Sequence, residues 1–424
     1  MESERYDAVI VGASLAGCTA AILLGRAGVS VGLVERRADP AAFKRICGHF
    51  IQSSAVPAMQ RIGLLDAVER AGARRCRPLL RTRWGWIDPR GHSSLPRCVN
   101  IRRERLDPLL RGMAADAPGV ELIAGWSAGR LLADGDRVAG VEVHDPNGHA
   151  RSLRARLVVA ADGRDSQIAR LAKVPTRTSP HGRFSYAGYY EGPPPPGAPD
   201  GSVWMLDPQW AAAFPTDSGL TMYGCMPTKD RLPEFRRDLE GALTSFIADL
   251  PDAPPILESR RVGPIIGKIE MPNVRRDPVG PGLALVGDAS LATDPLWGVG
   301  CGWAFQTAEW LADGVAPALA GGEPLERGLR RYRRRWRRGL LAHAYLIDDY
   351  ATGRRFKAVE RLLFSAAATD PRVAARLEAF GTRNVGPERL AGPAMAGAVL
   401  AATARRLAGN RAARATAPML EAAS

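Results

Sequence analysis

The chain has 424 residues, 46% hydrophobic and 24% charged, a balance that supports a full core and excludes an intrinsically disordered protein. Six cysteines, at 18, 47, 76, 98, 225 and 301, include no CxxC pair, and the six histidines show no ligand spacing, so neither a disulfide framework nor a metal site is expected. The formal charge of +14 is carried almost wholly by arginine, with only five lysines and no recognition motif beside it, which argues against nucleic acid as a partner.

The N-terminal MESERYD lacks the basic and apolar regions of a secretion signal, and no apolar run reaches bilayer length, so a reduced cytoplasmic protein is expected. In chain order, the stretch at 6–17 reads YDAVIVGASLAG: an apolar strand at 8–11, a turn holding Gly12 and Gly17, then an Ala/Leu-rich helix over 15–27. A second strand at 29–35 ends on Glu35. In such a strand–turn–helix–strand unit the backbone of Gly12, Ala13, Ser14, Leu15, Ala16 and Gly17 faces a pyrophosphate at the positive end of the helix. The carboxylate of Glu35, with Arg36 beside it, meets the ribose hydroxyls of a dinucleotide. Ser14 stands where G-x-G-x-x-G has its central glycine.

A basic loop, FKRICGH, leads to a helix expected over 54–71, short strands around Trp84-Gly85-Trp86, and a helix over 101–115. Period-two alternation over 120–161, with turn signals at Asp134-Gly135 and Asn147-Gly148, predicts an antiparallel meander ending just before Asp162-Gly163. Residues 185–226 are aromatic-rich and alternating, interrupted by the proline run 193–196, and predict a separate β layer followed by a helix at 232–250. An apolar strand at 283–286 reaches Gly287-Asp288, and a helix over 303–320 follows. Seven of the nine residues 330–338 are arginine, while Leu329, Tyr332, Trp336 and Leu340 form one apolar helical stripe. That helix is expected to pack one face on the body, with docking to an acidic carrier protein or a membrane surface as the functional alternative.

Three motifs thus stand in order: GASLAG with Glu35, Asp162-Gly163-Arg164-Asp165-Ser166, and Gly287-Asp288 followed by Pro295-x-x-Gly298-x-Gly300. Together they resemble the FAD-dependent oxidoreductases of the para-hydroxybenzoate hydroxylase type (group A monooxygenases), a superfamily that includes flavin-dependent halogenases and geranylgeranyl reductases. The resemblance covers residues 6–325. It implies an α/β fold with a discontinuous Rossmann-like FAD-binding domain (1–80, 101–178 and 277–325). An antiparallel β substrate domain (81–100 and 179–276) is inserted in it, and a C-terminal helical region (326–424) follows.

The resemblance also implies roles. Asp288 would accept from ribityl hydroxyls where Gly287 permits close approach. Pro295, Gly298, Val299 and Gly300 would present backbone N–H groups to the flavin ring edge. Asp162 and Gly163 would sit beside the pyrophosphate, and Arg103, within Arg-x-x-Leu106-Asp107, would approach the FAD phosphates along with Arg45. Tyr186, Tyr189, Trp204, Trp210, Phe214 and Trp297 are candidates for the substrate wall.

Three chemistries of the superfamily compete. A monooxygenase would use NAD(P)H as a transient reductant and O₂ to form a flavin C4a-hydroperoxide, then hydroxylate or epoxidise an apolar or aromatic natural-product scaffold. No catalytic side chain is then required. Halogenases need a lysine near the substrate and a Trp-x-Trp-x-Ile-Pro element. No lysine occurs from 45 to 172, and Trp84-Gly85-Trp86-Ile87-Asp88-Pro89 precedes Asp162-Gly163 and carries Asp88 in place of isoleucine. Double-bond reductases of the geranylgeranyl type remain an alternative. Cys47-Gly48 and Trp210-Ala211-Ala212-Ala213-Phe214-Pro215 resemble their elements, and Ser290-Leu291 replaces the Ala-His of aromatic hydroxylases. A third class, a non-catalytic flavin-binding accessory protein, would dock through residues 330–338.

Overall fold

The computed structural model describes residues 3–47, 49–390 and 392–416, so Gly48 of the Cys47-Gly48 pair and residues 417–424 of the expected helical region lie outside the described residues. Strand Ser3–Val11 is central in its sheet, flanked in parallel by Ala150–Ala160 on one side and Val31–Glu35 on the other, with Ala8 opposite both Leu157 and Val31. Burial on both faces explains its unbroken apolar run Ala8–Val9–Ile10–Val11. Leu283–Leu285 extends the sheet beyond Ala150–Ala160, and Val120–Ala124 extends it beyond Val31–Glu35.

Val120–Ala124 departs from the expected meander. It pairs in parallel with the second strand, and only Ser127–Asp134, Arg137–His144 and Ala150–Ala160 form the antiparallel part. The expected helix at 54–71 divides into Val56–Arg61 and Leu64–Arg70, and that at 232–250 into Leu232–Arg237 and Leu239–Ala248. In the second case Asp238 leaves helical geometry and its carboxylate accepts from Gly241 N at 2.9 Å, starting a new helix.

A second sheet runs in the order Arg260–Lys268, Ser185–Glu191, Thr221–Met226, Trp210–Pro215, Ser202–Met205, Leu79–Thr82, Gly85–Ile87. The hairpin 79–87 therefore joins strands more than a hundred residues away in sequence, through parallel pairing of Ser202–Met205 with Leu79–Thr82. One face of this sheet packs Phe184, Trp204, Tyr223 and Cys225 against Leu243, Phe246 and Ile247 of helix Leu239–Ala248.

Helix Val299–Leu319 begins four residues earlier than expected and packs along the first helix, Leu15–Arg26. Helix Leu325–Ala351 lies against it with Leu329, Tyr332, Trp336 and Leu340 buried. Of its arginines, Arg331 pairs with Glu323, Arg333 and Arg337 with Asp277, and Arg335 with Asp313. Arg330, Arg334 and Arg338 are exposed and form no ion pair among the described residues. The chain then folds back as Ala358–Ala367, Pro371–Gly381 and Pro393–Thr416, whose apolar faces share one cluster with Met205, Met226, Met271 and Leu296. Among the described residues no helix is long and apolar enough to cross a membrane, and no group of three or more His, Cys, Asp or Glu is placed to hold a metal.

Candidate functional site

The carboxyl ends of the parallel strands open into a cavity of about 1730 Å³. Ligands bind at this edge of open α/β sheets. The volume exceeds the roughly 300–1,000 Å³ of an ordinary small-molecule site and leaves room for a second molecule beside a dinucleotide.

The first turn is shaped by close approach. A Cβ on Gly17 would stand 1.8 Å from the Gly12 carbonyl oxygen, so the helix starts this near the strand only with glycine there. Gly17 is accordingly packed beneath the turn, while Gly12, Ala13, Ser14, Leu15 and Ala16 line the cavity. Ser14 has φ −115°, which needs no glycine, and its hydroxyl accepts from Arg103 Nη2 at 2.8 Å. The replacement of the central glycine thus adds an anchor for the arginine. No side chain caps helix Leu15–Arg26, which leaves its first N–H groups free for an anion.

Glu35 closes its strand at the cavity, accepting from Ala13 N at 3.0 Å and Arg37 N at 3.1 Å, with lone pairs remaining for ribose hydroxyls. Arg36 and Arg45 lie exposed along the same wall. Arg103 is buried, held by Asp107 through Nε–Oδ1 at 2.6 Å and Nη2–Oδ2 at 3.0 Å. Asp162 accepts from Ser166 Oγ and from Ile168 N, so its turn is tied to the short helix that follows, and Asp162 and Gly163 both line the cavity.

On the opposite wall, burial opposes ionisation of Asp288, but Lys44 at 3.1 Å and Arg164 outweigh it and hold the carboxyl below its ordinary range. The carboxylate is therefore an acceptor at neutral pH. Gly287, Pro295, Gly298 and Gly300 line the cavity beside it, whereas Val299 is turned into the core. Gly298 adopts φ +62°, and a Cβ there would come within 2.8 Å of the Phe50 ring. The helix beginning at Val299 carries no side-chain cap, so its N–H groups face the space between Asp288 and the first turn. An uncapped helix terminus for the pyrophosphate, an acid for the ribose, an acid for the ribityl chain and a second uncapped helix terminus for the ring edge together fit FAD.

Three further side chains stand here: His49, Gln52 and Cys47, the cysteine of the Cys47-Gly48 pair. His49 accepts from Arg103 N through Nδ1 at 3.2 Å, and burial pushes its pKa down to about 4, so it is neutral with Nε2 unpartnered. The Cys47 sulfur lies 3.6 Å from Cys301 Sγ. The hydrogen bond from that thiol, together with the Arg103 guanidinium, holds the Cys47 thiol well below its ordinary value. Gln52 donates to the Trp297 carbonyl at 2.7 Å and the Gly381 carbonyl at 2.9 Å, joining the loop Pro295–Gly298 to the C-terminal helices. No local sequence signal marks His49 or Gln52, and the Cys47-Gly48 pair alone does not show the contact with Cys301, because each depends on a contact between distant segments.

The second sheet turns one face to the cavity. Of the expected wall residues, Trp210, Phe214 and Trp297 line it. Tyr186 and Trp204 do not: they lie behind the sheet, Tyr186 stacked on Phe235 and Trp204 fully buried with its indole N–H donated to the Pro251 carbonyl. Strand side chains alternate faces, so Met205 beside Trp204, and Met222 and Met226 around Tyr223 and Cys225, take the cavity side instead. Tyr189 packs beside the cavity on the His49 ring at 5.3 Å and under Arg102. Phe356, Phe364, Leu377, Phe380 and Met395 roof the cavity from the C-terminal helices.

The FAD binding domain family matches residues 5–229, just over half of the chain. Digeranylgeranylglycerophospholipid reductase 1 of Methanococcoides burtonii is 26% identical over 368 residues, covering 79% of this chain and 80% of that protein. The p-nitrophenol 4-monooxygenase PnpA from Pseudomonas putida DLL-E4 superposes with a TM-score of 0.73 at 22% identity over 91% of this chain and all of its own. The flavin-dependent brominase Bmp2 superposes with a TM-score of 0.72 at 20% identity, covering 89% of this chain and 94% of its own. Both structures share the fold. The chain belongs to the FAD binding domain family and is an FAD-dependent oxidoreductase of the para-hydroxybenzoate hydroxylase type.

Proposed function

We propose that the protein is a monooxygenase that hydroxylates or epoxidises an apolar or aromatic natural-product scaffold, with NAD(P)H as reductant. The observation that carries this reading is the continuity of the FAD cradle with an apolar chamber walled by the second sheet and roofed by the C-terminal helices. Bound and reduced, FAD supplies activation of dioxygen and transfer of one oxygen atom. The chain's own part is to hold and orient the substrate and to keep water out. Trp210, Phe214, Met222 and Met226 offer the sheet-side wall, Trp297 the wall nearest the flavin edge, and Phe364, Leu377 and Phe380 the roof. None of these side chains carries a titratable proton, in keeping with chemistry borne by the cofactor.

A second reading, a double-bond reductase, is favoured by the 79% of the chain matched to the Methanococcoides reductase. The two separate by their need for oxygen. Holoprotein is incubated with NAD(P)H and a panel of aromatic, polyene and isoprenoid compounds, under ¹⁸O₂ and under argon. A monooxygenase yields product carrying one ¹⁸O atom and none under argon. Product heavier by two hydrogens, formed at least as well under argon, overturns the proposal in favour of reduction.

A further inference from the structure

Arg383 stands where the chain leaves helix Pro371–Gly381, and its surroundings make it unusual. The residue is 9% exposed, lines the cavity, and forms no ion pair among the described residues. Its guanidinium lies over two rings, 5.2 Å from the Phe380 centroid and 5.9 Å from that of Trp297. Nη1 donates to the Phe380 carbonyl at 2.9 Å, and Nε is buried with no partner. Beside it on helix Leu325–Ala351, His343 is 4% exposed and lies 5.2 Å from the Phe380 ring. Burial together with the Arg383 charge keeps that imidazole neutral, its pKa pushed down to about 3.

The backbone adds an independent observation. Arg383 has φ +62°, with its N–H bonded to the Phe380 carbonyl and the Asn384 N–H to that of Ala379. This is the left-handed position that ends a helix, where glycine is the ordinary residue. An arginine there accepts backbone strain and also buries a charge without a counter-ion. No described contact offsets the charge, and an anion on the unbonded Nε side of the fork, which matches a carboxylate in plane and spacing, would neutralise it.

We propose that Arg383 is the recognition site for a carboxylate on the substrate, so that the ligand of this chamber is an apolar scaffold bearing one acidic group. The assignment rests on the chamber being the substrate site, as in the function proposed above, and names the class of molecule it takes. The rings of Phe380 and Trp297 lie against the guanidinium, and Gln52 ties the Trp297 carbonyl to that of Gly381, so the anion would be held at the end of the chamber beside Trp297.

The test is calorimetric titration of the FAD-loaded protein with two matched pairs of probes, 2-naphthoate against 2-naphthamide and dodecanoate against dodecanamide. The expected result is that at least one acid binds tenfold or more tightly than its amide, the size of a charge-assisted hydrogen bond. Arg383→Met and Arg383→Gly are each expected to abolish that preference while leaving the amide Kd within twofold. The glycine variant suits the left-handed backbone and guards against a folding failure. Equal affinity for acid and amide in the wild type, absence of acid binding, or a preference that survives in the glycine variant would each overturn the assignment. No turnover is needed. A wild type that selects acids but gives no oxygen-dependent product leaves Arg383 assigned and removes the monooxygenase reading; oxygen-dependent product without acid selectivity does the reverse.

Discussion

Replacing Asp294 by asparagine tests whether a buried ion cluster fixes the loop Pro295–Gly298. Asp294 is fully buried, accepts from Arg183 Nη2 at 2.7 Å and from Leu296 N at 2.8 Å, and has His181 Nε2 at 3.1 Å. Arg183 also donates to the carbonyls of Tyr350 and Pro208 and lies 4.8 Å from the Tyr350 ring. The cluster therefore joins the second sheet, helix Leu325–Ala351 and the loop Pro295–Gly298. Asp294→Asn keeps the shape and strands the Arg183 charge, which costs about 3–5 kcal/mol. With an unfolding entropy of about 2.1 cal/mol/K per residue, a cooperative chain of 424 residues would lose about 3–6 °C in Tm. Adding Arg183→Met removes the stranded charge, so the double variant should recover about 2 kcal/mol or more relative to the sum of the singles. Burial opposes ionisation of Asp294, but His181 and Arg183 outweigh it and hold its pKa below 3.8, so the wild-type advantage persists to pH 4 and fades only as acid protonates the folded carboxyl. Thermal and urea unfolding of the four proteins measures all of this. A single variant within 0.5 kcal/mol of wild type, or strictly additive singles, would refute the reasoning.

Gly298→Ala, which forces a methyl onto the Phe50 ring at a left-handed position, is expected to cost about 1–2 kcal/mol and to weaken FAD retention; an unchanged FAD Kd by fluorescence titration counts against the flavin-edge placement. Trp204→Ala should lower stability by about 3–5 kcal/mol with KM unchanged, while Trp210→Ala should raise KM by more than it lowers stability; equal kinetic effects would mean that the two sheet faces are not distinct. His49 and His343, held neutral by burial with pKa values near 4 and 3, take up protons on unfolding. Each should cost about 2 kcal/mol of stability at pH 5 relative to pH 7.5, and replacement of either by glutamine should flatten the pH profile measured by urea unfolding.

The turn at the cavity and the acid beside it were legible because they are local. A strand, a turn without room for a side chain and an acid at the end of the next strand follow from residues 8–35, and the backbone groups that meet a phosphate belong to those residues. The order of the three motifs supplied the cofactor and the discontinuous α/β fold. Residues 185–226 announced a sheet and its aromatic content. Their alternation separated two faces but did not say which face meets the cavity, and Trp204 proved to lie behind it while Met205 lines it.

The sequence by itself thus determined the dinucleotide turn, the helix dipoles and the positions of Glu35 and Asp288, since these depend on neighbours within a few residues. Only the tertiary structure decided that Ser14 anchors Arg103, that Asp294 meets Arg183, and that the C-terminal helices roof the cavity and leave Arg383 without a counter-ion. Each is a pairing between segments from 89 to more than a hundred residues apart, or an absence of pairing. Burial and partnership of a charge are properties of the packed whole, and no periodicity or spacing in the chain encodes them.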